Sequence, residues 1–190
     1  NYKFIYPKTN MKILDSILRF VNRRRMSNIE YYRTLGVKIG DNCRIFTNRF
    51  GSEPWLISIG NNVTITSGVS LITHDGSTWL CRDEKGRRYL FKEIHIGNNV
   101  FIGIDSIILP GVHIEDDVIV AAGSVIAKSV PKGSIIGGNP AKIIGDYYQY
   151  EKKVLSKYIC DDDMDFTKNY KERILPIVDR EPKPKMKLEN

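Results

Sequence analysis

Aliphatic residues recur in this chain at intervals of six. They stand at Ile39 and Ile45, at Ile59, Ile65 and Leu71, and then without a break at Ile96, Ile102, Ile108, Ile114, Val120 and Ile126. Four residues after each anchor comes a small or β-branched side chain, as at Val63, Val69, Val100, Ser106, Val112, Val118, Ser124 and Val130, and glycine often follows directly, at Gly40, Gly60, Gly97 and Gly103. Neither a 3.6-residue helical stripe nor strand alternation groups residues this way. A six-residue period specifies a parallel β-helix, in which short strands turn corners and successive coils stack. The anchors fill the prism, small residues fit its corners, and Gly or Asn supplies the positive φ that a tight turn demands. Three hexads make a coil of about 18 residues. Ile96 is therefore expected beneath Ile114, and His95 beneath His113, at the ~4.8 Å spacing of paired strands. A β-sandwich would have to produce six consecutive hexads by coincidence.

Two interruptions break the period. Ile45 and Ile59 are fourteen residues apart instead of twelve, so R-F-G-S-E-P-W must bulge. Leu71 and Ile96 are twenty-five apart, about nineteen more than one hexad. A long excursion from a regular solenoid points to function, because rigid coils place loops accurately. The excursion, residues 72–95, holds His74, one of three histidines in the chain.

The flanks differ from this body. At 190 residues, with 42% hydrophobic and 27% charged side chains, the chain is expected to form one domain plus tails. No apolar run reaches the ~18 residues of a membrane span. The opening Asn1-Tyr2-Lys3-Phe4-Ile5-Tyr6 lacks the apolar core of a secretory leader, and Met11 is a candidate natural start. Cys43, Cys81 and Cys160 are odd in number and widely spaced, against a disulfide or zinc framework and in favour of a cytoplasmic setting. The net charge of +7 is concentrated: residues 1–36 carry eight basic and two acidic side chains, 37–145 eleven and ten, and 146–190 ten and ten. A nucleic-acid binder would carry its basic stripe on the folded body, so that class is excluded. Residues 12–26 place Ile13, Ile17, Leu18 and Val21 on one helical face and crowd arginines on the rest. Such a helix either caps the open end of the solenoid or lies on an anionic membrane surface, at the inner face of the cell membrane. Three segments result: a basic arm with an amphipathic helix (1–36), the solenoid (37–145), and a C-terminal part (146–190) with a helix around 147–157 and a loose tail from Pro182.

Over residues 37–145 the motifs become specific: I-G-N-N-V-T-I, I-T-H-D-G-S-T-W, I-H-I-G-N-N-V-F-I-G, L-P-G-V, A-A-G-S-V-I-A-K-S-V-P and G-G-N-P-A-K-I-I-G. In these the chain resembles the hexapeptide-repeat acyltransferases. The branch is that of the galactoside, maltose and xenobiotic acetyltransferases, and the small O-acetyltransferases of bacterial surface-polysaccharide synthesis are closer still. The resemblance implies a single-stranded left-handed parallel β-helix, a handedness that periodicity alone does not set and that is otherwise rare. It further implies a homotrimer with active sites between subunits, acetyl-CoA as co-substrate along the coils, no metal, and a sugar acceptor approaching from the loop side.

The resemblance also assigns roles. Acetyl transfer from a thioester to a sugar hydroxyl requires a base as the hydroxyl attacks, and imidazole, with an ordinary pKa of ~6.5, suits neutral pH. That base is His74; without the family context, a lone loop histidine reads equally as an exposed or capping residue. A backbone donor to the oxyanion is implied in Phe101-Ile102-Gly103-Ile104. Here Phe101 replaces the tryptophan frequent in relatives, and Ile104 replaces a serine, so no side-chain hydroxyl is offered; Phe101 and Ile104 equally suit packing. Gly103, Ala121 and Ala122 are implied as backbone partners of the pantetheine arm, Lys128 and Lys142 for the CoA phosphates, and Pro140 and Ala141 for the adenine wall. Each also fits plain corner chemistry, and Ala127 lacks the hydroxyl that relatives often place before the lysine. Asp75, Glu93 and Asp105 are candidates to orient His74 or the sugar. Trp79, Tyr89 and Trp55 either stack on a sugar face or staple their loops, and the 51–55 bulge adds Glu53 and Trp55 as acceptor-site candidates.

Three other functions compete with sugar O-acetylation. N-acetylation of an amino sugar, free or nucleotide-linked, would use the same base. A γ-type carbonic anhydrase shares the fold and binds zinc through three histidines, but the closely spaced pair typical of it is missing here. A non-catalytic β-helix scaffold would have no chemical need for the histidine loop.

Overall fold

The computed structural model describes residues 26–185. Short parallel strands line three faces that the chain visits in rotation. The first face stacks Lys38–Ile39, Ile57–Ile59, Ile94–Ile96 and His113–Ile114. The second stacks Arg44–Ile45, Thr64–Ile65, Val100–Ile102, Val118–Val120 and Ser134–Gly137. The third stacks Ser70–Leu71, Ile107–Ile108 and Val125–Ile126. This rotation is a parallel β-helix of triangular section. Ile114 pairs with Ile96 and His113 with His95, as the period requires. Lower down, Ile59 pairs with Ile39, and the two extra residues of that coil are absorbed by a 3-10 turn at Pro54–Leu56.

All the hexad anchors and the eight corner residues from Val63 to Val130 named with them are buried. Enclosing one such Ile or Val contributes about 1.5–3 kcal/mol, so the stacked column is the main source of stability. The buried hydroxyls at the corners are satisfied: Ser106 Oγ donates to the Gly103 carbonyl at 2.8 Å and Ser124 Oγ to the Ala121 carbonyl at 2.6 Å.

The glycines after the anchors serve a different purpose from the expected one. Positive φ falls to Asn42, Asn62, Asn99, Asp105 and Asp117, at 53–58°, and to other glycines such as Gly68, Gly111 and Gly123. Gly40, Gly60, Gly97 and Gly103 are needed for space: a Cβ on Gly60 would stand 2.7 Å from the Gly97 carbonyl oxygen of the next coil. The left-handed corner residues form a ladder of their own. Asn42 donates to Asn62 (3.0 Å), Asn62 to Asn99 (2.6 Å) and Asn99 to Asp117 (2.8 Å).

At the lower end, helix Asn28–Thr34 opens with a capping box between Ser27 and Glu30, and its buried Tyr32 stacks on Phe50 at 3.9 Å. The last part of the basic arm thus belongs to the solenoid. The amphipathic stretch expected over 12–26 lies outside the described residues, except Met26. At the upper end, Lys142–Asp146 folds back antiparallel on Ser134–Gly137 and leads into helix Tyr147–Lys157. Asp117 anchors that entry. Its carboxylate accepts from Asn99 and from Tyr148 Oη (2.9 Å) and pairs with Lys132. The hydrogen bond from Asn99, followed by those from Tyr148 and Lys132, outweighs burial and holds Asp117 below the usual carboxylate range. The polypeptide divides after Tyr148. The second unit contains the rest of that helix, a short helix at Tyr170–Ile174 and 3-10 turns at Asp161–Asp163 and Leu175–Ile177.

Candidate active site

The long excursion leaves the third face after Leu71 and returns to the first at Ile94. Its root is clamped. Thr73 O accepts from Lys92 N–H (2.8 Å), Asp75 N–H donates to Leu90 O (3.0 Å), and His74 and Phe91 form the antiparallel bridge between them. His74 is thus fixed by the backbone on both sides.

Its side chain is fixed by Glu53. One carboxylate oxygen, Oε2, lies 2.9 Å from His74 Nδ1 and accepts from Thr73 Oγ1 at 2.7 Å. Burial pushes the Glu53 carboxyl up, but the hydrogen bonds from Thr73 and His74 together outweigh it and hold the group below its ordinary value. An ionised Glu53 has only lone pairs to offer, so Nδ1 carries the proton and donates. In the neutral ring Nε2 then bears the lone pair, and the imidazole is 37% exposed. Such a base can take a proton from a ligand without moving.

Among the described residues no other acidic candidate hydrogen-bonds His74. Asp75 caps the 3-10 turn Gly76–Leu80, accepting from Ser77 N–H and Oγ at 2.9 and 2.6 Å. Glu93 lies 2.9 Å from His95 Nε2, and Ser58 Oγ lies 2.6 Å from His95 Nδ1. Asp105 sits at a corner with φ 58° against Gly68. Trp55 is exposed, with its Cβ close against Gly36. Trp79 lies in the loop under the guanidinium groups of Arg82 and Arg87. His95 and His113 are edge to face, ring centroids 4.4 Å apart, and His74 is engaged with Glu53. Among the described residues no three His, Cys, Asp or Glu side chains converge on a metal position.

The cofactor candidates fall into two groups. Gly103, Ala121 and Ala122 stack at the corner between the second and third faces, where a Cβ on Gly103 would meet Ala122 N at 2.5 Å. Two of the amides that the resemblance implied there are spent in the ladder. Gly103 N–H donates to Val120 O and Ala121 N–H to Ile136 O, both at 2.9 Å, while the Gly103 and Ala121 carbonyls take the Ser106 and Ser124 hydroxyls. Among the described residues, the Ile104 and Ala122 amides have no partner, so a ligand's acceptor groups would meet these two. Both lie within the stretches that the resemblance implied, but ladder bonding is invisible in a hexad pattern, so the sequence did not separate them from Gly103 and Ala121. Phe101 projects outward between Thr64 and Ile119 and is 41% exposed. In the second group, Lys128, Ala141 and Lys142 line one open cleft of about 190 Å³, together with Ala127 and Ile143. Pro140 lies beside it in sequence.

Comparison with known proteins places this arrangement. The family model "Bacterial transferase hexapeptide (six repeats)" matches residues 93–128. Protein CapG of Staphylococcus aureus is 50% identical over 153 residues, covering 78% of this chain and 86% of that protein. Galactoside O-acetyltransferase of Escherichia coli is 32% identical over 116 residues, covering 61% of this chain and 57% of that one. Among solved structures, a hexapeptide-repeat-containing acetyltransferase from Vibrio cholerae superposes with a TM-score of 0.52 at 29% identity, covering 59% of this chain and 63% of that one. The chain belongs to the hexapeptide-repeat acetyltransferases. It is an acyltransferase, and no helix among the described residues is long and apolar enough to cross a membrane.

Proposed function

We propose that the protein transfers an acetyl group from acetyl-CoA to a hydroxyl of a sugar in surface-polysaccharide synthesis, with His74 as general base. The observation that carries this reading is the Glu53–His74 pair, in which Glu53 engages Nδ1 and leaves Nε2 of the neutral, part-exposed ring to accept a proton. The acceptor oxygen attacks the thioester carbonyl carbon, its proton passes to Nε2, and the C–S bond breaks to release the CoA thiolate, which takes the proton back. Glu53 keeps the ring in the tautomer that accepts and offsets the positive charge that develops on it. The unpartnered amides of Ile104 and Ala122 suit acceptor groups of the donor molecule, and Lys128 and Lys142 suit its phosphates.

The family reading also makes the β-helix left-handed and the functional unit a homotrimer, with the excursion of one subunit closing the site against its neighbour. Sugar O-acetylation is supported by the similarity to a galactoside O-acetyltransferase.

The test is free-thiol release from acetyl-CoA across free, nucleotide-linked and lipid-linked sugars, with mass spectrometry of each product. Sugar-dependent turnover is expected, with acetyl on oxygen, and His74→Ala should lower it by ~10²–10⁴. Acetyl on nitrogen would move the reading to amino-sugar N-acetylation. Silence with every sugar, together with no acetyl-CoA binding by calorimetry, would overturn it.

A further inference from the structure

A chain of ring and guanidinium contacts runs from His74 out along the excursion. Phe91, bridged to His74, has its ring 6.0 Å away, and Tyr89 stacks on Phe91 at 6.2 Å and 9°. The Arg87 guanidinium lies 4.5 Å over Tyr89 and 4.7 Å over Trp79, and that of Arg82 lies 4.3 Å over Trp79. Arg82 and Arg87 are cross-strand partners in the hairpin of Arg82–Asp83 and Gly86–Arg87, so both project from the same side of it.

Their charges are not spent within the chain. The nearby carboxylate of Asp83 is taken by Arg88 and by Lys85 N–H. Among the described residues neither Arg82 nor Arg87 has an ion-pair partner, and Arg87 Nε is buried without a hydrogen-bond partner. Stacking fixes a guanidinium plane by its face and leaves its N–H edge free, the edge that matches a carboxylate or phosphate in bidentate fashion. Two such groups, linked through aromatic side chains back to His74, present guanidinium edges without a partner on the excursion. The two lysines suited to CoA lie on another element, in the cleft of the last coil.

We infer that Arg82 and Arg87 form an oxyanion subsite, so that the acceptor is a sugar carrying a phosphate or a carboxylate. The inference takes its acceptor from the acetyl-transfer reading; the anion site itself does not depend on that reading.

The test starts without acetyl donor, by saturation-transfer NMR on the full chain with glucose, glucose 1-phosphate and glucuronate as probes. The two anionic sugars should bind and glucose should not, and whichever anion binds more tightly identifies the oxyanion as phosphate or carboxylate. Arg82→Gln, at an exposed position, should lower anion binding about tenfold, and Arg87→Lys should lower it less, because charge remains while the planar fork is lost. In turnover assays Arg82→Gln should reduce the kcat/KM ratio of anionic over neutral acceptors by a similar factor. Equal binding of glucose and its phosphate by the wild type would overturn the inference. So would unaltered anion selectivity in both variants, or an effect confined to the KM for acetyl-CoA. Anion binding without thiol release from any sugar would leave the subsite standing and count against the acetyl-transfer reading alone.

Discussion

Glu53 Oε2 and His74 Nδ1 lie 2.9 Å apart across 21 residues of sequence, and the same oxygen holds Thr73. The contact joins the two interruptions of the repeat: the two-residue bulge carries the carboxylate and the long excursion carries the imidazole. Thr73, fully buried at the excursion's root, ties both to the third face. An insertion of two residues is enough because the coil below already lies in van der Waals range of the excursion's root. A Cβ on Gly51, at φ +66°, would stand 2.9 Å from the Leu71 carbonyl oxygen.

Replacing Glu53 should therefore act through the histidine. Glu53→Gln keeps an oxygen for Nδ1–H but removes the charge that steadies a protonated ring. We expect kcat to fall about 10- to 100-fold, less than for His74→Ala, with the KM for acetyl-CoA little altered. Steady-state kinetics of both variants check this, and an unchanged kcat in Glu53→Gln would remove Glu53 from the mechanism.

The same carboxylate makes stability depend on acid. Glu53 and Asp117 are both held below their ordinary values in the folded state, so the fold prefers them ionised. Their contribution is complete above the unfolded values of about 4 and is lost as pH falls through the lower folded values. Urea unfolding at pH 7 and pH 3 should show Asp117→Asn less stable than wild type at pH 7, with the gap narrowing at pH 3. A gap that widened in acid would contradict the assigned direction.

The solenoid was legible in the sequence because each hexad repeats one physical demand: an anchor inside, a small corner residue, and a residue without Cβ where coils touch. His74 stood out through its loop motif as the proposed base. Its partner did not, because Glu53, Asp75, Glu93 and Asp105 look alike in one dimension and only the stacking of coils brings Glu53 to Nδ1. Asp75, nearest in sequence, is drawn into its own turn by Ser77. Helix Asn28–Thr34 left a signal that went unused, the S-x-x-E of Ser27 and Glu30, which is a capping box in the structure. Ile104 and Ala122 lay within the stretches the resemblance implied, but which amides there stay free was not legible, since ladder bonding depends on which strand lies above.

Gly51 tests how tightly the bulge is held. Gly51→Ala adds a Cβ both at positive φ and against Leu71 O and Thr73 Oγ1, at 2.9 and 3.3 Å. Gly123→Ala, at φ +69° with open space around it, adds the backbone strain alone. The second should cost about 1–2 kcal/mol and the first measurably more, since strain and collision add. Only Gly51→Ala should also lower kcat, by displacing Thr73 and with it the Glu53–His74 contact. Equal stabilities of the two variants in urea would show that the excursion's root yields freely.

The last prediction concerns the donor. The cleft bearing Lys128 and Lys142 measures about 190 Å³, below the ~300 Å³ at which pockets usually begin to enclose a drug-sized ligand. It suits the phosphates of a nucleotide better than the whole of it, and lysine ammonium groups at its rim act there as point charges. Lys128→Ala and Lys142→Ala should each raise the KM for acetyl-CoA about tenfold and leave kcat nearly unaltered, because phosphate binding is the same in the ground and transition states. Acetyl-pantetheine, which carries the thioester without the nucleotide, separates the two contributions. With it as donor, wild type and lysine variants should turn over at the same rate. A deficit that persisted with acetyl-pantetheine would show that the lysines act on something other than the phosphates.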